Sequence, residues 1–271
     1  RSHLGGSGLG VELLLREGAA AVDPLSPESA IAFVFSPLVG SPLTTSAKFA
    51  VVSKSPLTQR INDSLASSGF AIAGKRCGAD AIVIVGLASD LSVLVIDDGL
   101  VRLESAADWA GLPTRETQVC VKERIGSDFQ CATIGPAGER LVRYATISHD
   151  GRHAGRGGSG AVLGSKNIKA IAVRGSKRVS WAEPEKLVAY ARQLSEKSFG
   201  PATAKYRELG TASNLLTFNR LNVLPTRNFQ QGSFDGAEAI SPEEMSVARE
   251  RTRASCAACT IGCEHLYGLN N

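Results

Sequence analysis

The chain has 271 residues, 43% of them hydrophobic, which is enough for one large or two ordinary domains with real cores. Thirty Lys and Arg against 26 Asp and Glu leave a net charge of only +4, spread along the chain, and aromatics make up only 6%; both argue against a nucleic-acid-binding protein. No run of about 18 apolar residues occurs, so no membrane-spanning helix is expected.

The sequence opens on Arg1 and a glycine-rich run instead of Met, so it is expected to begin inside a fold. No secretory signal pattern is visible. Six cysteines are too few for a disulfide scaffold and point to a reducing, cytoplasmic compartment. Cys77, Cys120 and Cys131 stand alone and read as packing residues.

In chain order, residues 8–17 fit a helix. Residues 30–35, 48–52 and 81–85 are short, β-branched and bounded by turn residues, so they read as buried strands. Residues 91–104 read as a hairpin turning on Asp98-Gly99, where positive φ angles are needed. Residues 114–125 fit a second helix. Residues 131–134, 143–147 and 170–174 are further strands. Two small-residue loops, 41–48 and 64–69, would expose backbone groups to a ligand or serve as ordinary connections. There is no internal repeat and no low-complexity tract. After Arg178 the pattern turns helical, over 184–194 and again over 242–253, where Ser241-Pro-Glu-Glu244 is a capping box with Pro at the first helical position. The arginines of 249–253 read as a solvated face of that last helix. Between these helices, 221–235 is irregular and polar. The fold class is α+β: a β-rich domain over 1–178, then the start of a mainly α-helical domain over 179–271.

Two segments carry chemistry. Residues 151–160, Gly-Arg-His-Ala-Gly-Arg-Gly-Gly-Ser-Gly, follow a strand. Glycines let the backbone approach a ligand and turn its N–H groups toward an anion, and two arginines offer bidentate phosphate contacts. Gly155-x-Gly157-x-x-Gly160 formally matches a dinucleotide fingerprint, but no acidic residue stands about 20 positions on at the end of a strand. A phosphate loop of the Walker type fails because Gly164-Ser165-Lys166 inverts the Lys-Ser order. A phosphorylated ligand is the expectation, and a purely structural bend is the alternative.

The second segment is Cys256-x2-Cys259-x3-Cys263. A two-residue gap lets two thiolates converge from one turn, and Gly262 permits the bend that brings in the third. Thiolates select iron–sulfur clusters or zinc. A four-iron cluster would need a fourth thiolate from elsewhere; zinc could recruit His265 to make Cys3His, although Cys-x-His is a tight spacing.

The runs 135–139 and 150–173 resemble the aldehyde ferredoxin oxidoreductase family, and so do 23–28, 53–58, 227–230 and the cysteine spacing. The resemblance covers essentially the whole chain. It implies a tungsten or molybdenum bis-pyranopterin cofactor lying on the β-rich domain, with a magnesium ion bridging the pterin phosphates. It further implies a four-iron (4Fe-4S) cluster passing electrons to ferredoxin or a similar acceptor. Arg152, His153, Gly155 and Arg156 match the family's cofactor-binding loop. Lys48 stands where an Arg is common, which keeps the charge and loses the fork. Leu65 and Ser67 match positions that are commonly Asn and Gly; if those act through backbone groups, the change is mild. Cys256, Cys259 and Cys263 match three cluster ligands; the family's fourth cysteine and its proton-handling Glu and His lie beyond Asn271. The chain is therefore expected to be an N-terminal portion of such an enzyme, cut at both ends.

The activity implied is oxidation of a small aldehyde to a carboxylic acid, with no nucleic acid or membrane partner and a homodimer as one option. Three other readings stay open: another reaction on the same scaffold, such as reduction of an aromatic acyl thioester; a non-catalytic cofactor-binding fragment; and a zinc-stabilised NAD-binding protein.

Overall fold

A computed structural model describes residues 3–268. The chain forms two units: Arg1–Ser41 with Ser46–Ala182, and Pro42–Thr45 with Glu183–Asn271. The first contains, in order, α1 (Gly6–Arg16), β1 (Ile31–Phe35), β2 (Lys48–Lys54), β3 (Ile61–Ser67), α2 (Gly69–Arg76), β4 (Ala81–Ile84), β5 (Ser92–Asp97), β6 (Leu100–Ser105), α3 (Thr114–Arg124), β7 (Gln130–Thr133), α4 (Pro136–Glu139), β8 (Ile147–His149), β9 (Arg152–Ala154), α5 (Ser159–Gly164) and β10 (Ile168–Arg174). The second contains α6 (Pro184–Ser198), α7 (Pro201–Leu209), α8 (Leu215–Arg220), α9 (Pro242–Ala248), β11 (Arg251–Ala254) and β12 (Glu264–Tyr267). The architecture is mixed α and β, with the two larger sheets in the first unit and, among the described residues, helices α6–α9, a two-stranded sheet and long connections in the second. Among the described residues no helix is long and apolar enough to cross a membrane.

The first unit is layered. An antiparallel sheet in the order β3-β2-β1-β4 and a six-stranded sheet in the order β6-β5-β10-β7-β8-β9 share one core. Phe70 on α2 is the hub of that core. Its ring lies 5.3–6.3 Å from those of Phe33, Phe35 and Phe49, and burying a side chain of this size is worth about 2 kcal/mol. Helix α1 covers the outer face of the first sheet through Leu14 on Ala32, Val34, Ala50 and Val52. Helix α3 covers the outer face of the second through Val121, beside Trp109 and Phe129. Strand β10 is buried along almost its whole length, including Lys169, whose ammonium pairs with Glu139 and donates to the Leu112 carbonyl at 2.7 Å.

Several expectations hold. The hairpin turns on Asp98 and Gly99, with φ of 48° and 94°. The Ser241 hydroxyl accepts from the Glu244 N–H at 3.2 Å, closing the capping box. Cys77 and Cys131 are buried, whereas Cys120 is only half-buried. Others are corrected. Residues 64–69 are not a loop: they end β3 and begin α2. The polar run Ile61–Ser67 hides its strand because β3 lies at a sheet edge and buries little but small side chains. Of the strand expected over 143–147 only Ile147 belongs to β8, which continues beyond it to His149. The end of the glycine-rich stretch and the residues after it form α5, every residue of which is buried. Strand β4 is half-exposed and not buried, because it too is an edge. Helix α9 stops at Ala248, since Arg249 already has extended backbone (φ −142°) and 251–254 pairs with β12.

Candidate functional site

The glycine-rich segment folds as a hairpin followed by a helix. Strands β8 and β9 turn on Asp150 and Gly151, with φ of 47° and 66°. Asp150 Oδ2 accepts from the Gly69 N–H at 2.7 Å, so the hairpin tip is pinned to the first turn of α2. Beyond β9, the Arg156 N–H donates to Ser64 Oγ at 3.2 Å, tying the segment to β3. These are the edge strands of the two sheets. Where they meet lies an open cavity of 550 Å³ bordered by Asn62, Asp63, Ser64 and Leu65 on one side and His153, Gly155 and Arg156 on the other.

The register of β3 decides which of its groups face this space. Ser68 N–H bonds Ala47 and Ser55 N–H bonds Arg60, so hydrogen-bonded pairs with β2 fall on Asn62, Ser64 and Ala66. The N–H and C=O groups of Asp63, Leu65 and Ser67 therefore point away from β2, to the free edge of the sheet. The Ser67 hydroxyl is committed to the Ala47 carbonyl at 3.0 Å. Leu65 has no polar side chain, so both positions can meet a ligand chiefly through backbone. Lys48 is exposed and lies directly opposite Ser67. Among the described residues neither Lys48 nor Arg156 makes an ion pair.

The structure thus brings Leu65, His153, Gly155 and Arg156 to one cavity, with Lys48 and Ser67 on the adjoining strand ends; Arg152 stands on the neighbouring position of β9. This set, rich in cations and outward main-chain groups, fits a phosphorylated ligand. Asp63, not singled out in the sequence, also borders the cavity and accepts from the Ser7 hydroxyl. A lone carboxylate among cations suits a ligand that carries N–H donors as well as phosphate, which a pterin does. Only the ladder register, invisible in composition, would have pointed to Asp63.

Beneath the hairpin lies His149, fully buried, its ring edge-on to Phe49 at 4.9 Å and neither ring nitrogen hydrogen-bonded. Burial pushes its pKa down from 6.5 to about 4, helped by the neighbouring His153 and Arg152. Between these values the unfolded chain takes up a proton that the folded one refuses. Stability is therefore expected to fall by about 3 kcal/mol as pH drops from 6.5 to 4. His149→Leu should flatten that limb of a urea-unfolding series; an unchanged slope would contradict it.

In the second unit the three cysteines sit on the connection between β11 and β12, each half-buried. A turn closes with Cys259 N–H on the Cys256 carbonyl at 3.1 Å, and Ala258 and Gly262 have φ of 53° and 63°. Thr44 braces this connection: its Oγ1 accepts from the Thr260 N–H at 3.1 Å and lies 2.7 Å from Thr260 Oγ1, which also meets Ser198 Oγ. The loop at 41–48 thus contributes to the cysteine segment, a role its composition did not announce. Among the described residues no group of three or more His, Cys, Asp or Glu is arranged to hold a metal ion. The chemistry of the donors, three free soft thiols on one short connection, nonetheless fits a cluster or zinc. His265 lies apart from such a role: its Nε2 is 3.1 Å from the Arg207 carbonyl and its Nδ1 is buried.

Residues 1–175 match the family of the aldehyde ferredoxin oxidoreductase N-terminal domain, and residues 186–271 match that of aldehyde ferredoxin oxidoreductase domains 2 and 3. A tungsten-containing aldehyde ferredoxin oxidoreductase of Pyrococcus abyssi is 42% identical over 272 residues, covering 97% of this chain and 44% of that protein. Its namesake from Pyrococcus furiosus is 39% identical over 276 residues, covering 99% and 45%. The chain thus spans less than half the length of these relatives. Among solved structures, the active site complex BamBC of benzoyl coenzyme A reductase with 1,5-dienoyl-CoA superposes with a TM-score of 0.83 and 26% identity, over 98% of this chain and 43% of that one.

Proposed function

The chain belongs to the aldehyde ferredoxin oxidoreductase family, and we propose that it is the cofactor-base portion of a cytoplasmic tungsten- or molybdenum-pterin enzyme oxidising aldehydes to carboxylic acids. The aldehyde and one water give the acid, two protons and two electrons, and the electrons leave singly toward ferredoxin. The observation that carries this reading is the cavity between β3 and β9, where unpaired Arg156 meets outward backbone groups of the sheet edge.

When bound, the metal–pterin supplies the two-electron oxidation and a four-iron cluster the single-electron exit. The chain's own residues bind and orient. Arg156, Arg152 and Lys48 would offset the charge of pterin phosphates and of an associated magnesium, with His153 beside them as a hydrogen-bonding group. Leu65 and Ser67 offer backbone N–H and C=O groups, and Asp63 accepts from ring N–H donors. Cys256, Cys259 and Cys263 are three cluster ligands. The tungsten in the names of the relatives supports that metal. The likeness to benzoyl coenzyme A reductase supports a second reading, reduction of an aromatic acyl thioester on the same scaffold.

The test is the full-length protein purified without oxygen, analysed for tungsten, molybdenum, iron and pterin, and assayed with an aldehyde panel and a viologen dye. Full metal loading with no aldehyde turnover would sink the aldehyde reading, and turnover of an acyl thioester would put the second in its place. Arg156→Ala is expected to lower the pterin retained per chain by about tenfold, and Arg156→Lys by less, because the charge survives without the fork. Equal pterin content in all three proteins would remove Arg156 from the cofactor site.

A further inference from the structure

A sheet edge carries unpaired N–H and C=O groups, and most edges are blunted by charge, proline, a bulge or a covering element. Strand β6, the last strand of the six-stranded sheet, has little of this protection. It holds no proline and no lysine, and its pairing with β5 runs from Ser92↔Ser105 to Asp97↔Leu100 without a bulge. Leu100, Val101 and Leu103 are 78%, 65% and 54% exposed. Val101 and Leu103 border an open, mainly apolar cavity of 450 Å³, together with Leu94 and Ile96 of β5 and Ile82 and Ile84 of β4.

The ladder fixes which groups of β6 are free. The Ala106 N–H donates to the Leu91 carbonyl at 2.7 Å, so hydrogen-bonded pairs with β5 recur at Glu104, Arg102 and Leu100. The N–H and C=O groups of Val101 and Leu103 and the N–H of Ser105 therefore point to the open side. The Ser105 carbonyl accepts from Arg124 Nη2 at 2.6 Å, which leaves it one lone pair. Side chains alternate: Val101 and Leu103 lie on the cavity face, and Arg102 and Glu104 on the opposite one, where Arg102 Nε donates to Glu104 Oε1 at 2.8 Å.

Such an edge accepts an antiparallel strand, and its charges suit its own sequence. When a second copy is laid antiparallel about a two-fold axis, outward groups meet outward groups only if one residue faces its own counterpart. An axis at Arg102 sets arginine against arginine, and one at Glu104 sets acid against acid. An axis nearer either strand end pairs few residues. An axis at Leu103 sets Arg102 of each copy against Glu104 of the other, and leucine against leucine on the cavity face. Opposite charges directly across a ladder are favourable and like charges are not. We propose that β6 is a self-association edge: two copies of the protein join through it in antiparallel register about Leu103, and the six-stranded sheet continues from one copy into the next.

The test follows full-length protein by sedimentation velocity over a concentration series, with hydrogen exchange at residues 100–105 read on the same samples. Arg102→Glu sets like charges against each other at both symmetric contacts and should raise the dissociation constant at least about tenfold. Glu104→Arg should do the same. Each variant also loses the ion pair within its own strand, so the deciding sample is an equal mixture of the two. There an acid again faces a base at both contacts while the pair within each strand stays absent, and association should return close to that of the wild type. The Val101 and Leu103 amides should exchange slowly only at concentrations where wild-type copies associate. Association of Arg102→Glu as strong as the wild type's would overturn the proposal, and so would a mixture no stronger than either variant alone. Exchange at these amides that does not change with concentration would overturn it too, as when another segment of the same polypeptide covers the edge.

Discussion

Replacing Gly158 by alanine is expected to destabilise the first unit by about 4 kcal/mol, combining a left-handed residue with an added methyl in a filled space. Gly158 caps the N-terminus of α5 with φ 73° and ψ 25°. A Cβ there would fall on the carbonyl oxygen of Arg143 and lie 3.2 Å from Pro56 Cγ. Neither neighbour can give way cheaply: one is backbone, and α5 beside it is buried from end to end. Urea unfolding reads the effect. Gly155→Ala is the control, since a Cβ there would be exposed and 4.0 Å from its nearest neighbour, and should change stability by under about 0.5 kcal/mol. Similar unfolding midpoints for the two variants would refute the packing account. The contrast divides the glycine-rich segment in two: the part up to Arg156 faces the cavity, and the part from Gly158 holds the layers together.

Cys259→Ser is expected to cut iron bound per chain at least about tenfold, because a serine oxygen is a hard, poor substitute for a thiolate on iron. Metal analysis and the low-temperature electron paramagnetic resonance of the reduced protein would show it. The isolated cysteines provide the comparison. Burial pushes the Cys131 thiol up to about 12, and the Cys77 thiol is raised by burial while its Sγ contacts the Ala73 and Arg174 carbonyls. Burial thus holds both toward the thiol and away from the thiolate that ligates metal. Cys120, half-buried on α3, lies in the other unit. Cys120→Ser should leave iron unchanged; if it costs as much iron as Cys259→Ser, the cysteine connection is not the cluster site.

Much of the fold was legible where burial is two-sided. Residues 31–35 and 49–52 are apolar on both faces, and such runs admit little but a central strand. The elements that escaped are those whose character depends on a partner distant in sequence. Ile61–Ser67 reads as a polar loop until β2 supplies its ladder, and Arg251–Ala254 continues a helix until β12 stops it. The candidate site divides the same way. The residue types at Arg156 and in the cysteine spacing were visible because their chemistry is carried by side chains. Leu65 and Ser67 were reached only through the family resemblance, since the direction of their peptide groups is fixed by the register alone. Thr44 and Asp63 were missed because nothing local marks a brace or a cavity wall.

The bracing of the cysteine connection by Thr44 means that the polypeptide passes between the two units three times: after Ser41, after Thr45 and after Ala182. Cutting at the last crossing would not yield two self-sufficient pieces. A polypeptide of 183–271 made alone would carry all three thiols but lack the hydroxyl that holds Thr260. During synthesis that hydroxyl emerges more than 200 residues before its partner, so the cysteine segment can be braced only once Thr260 has been made. Insertion of iron would then be a late event, and a separately expressed second unit should take up metal poorly even with every cysteine in place.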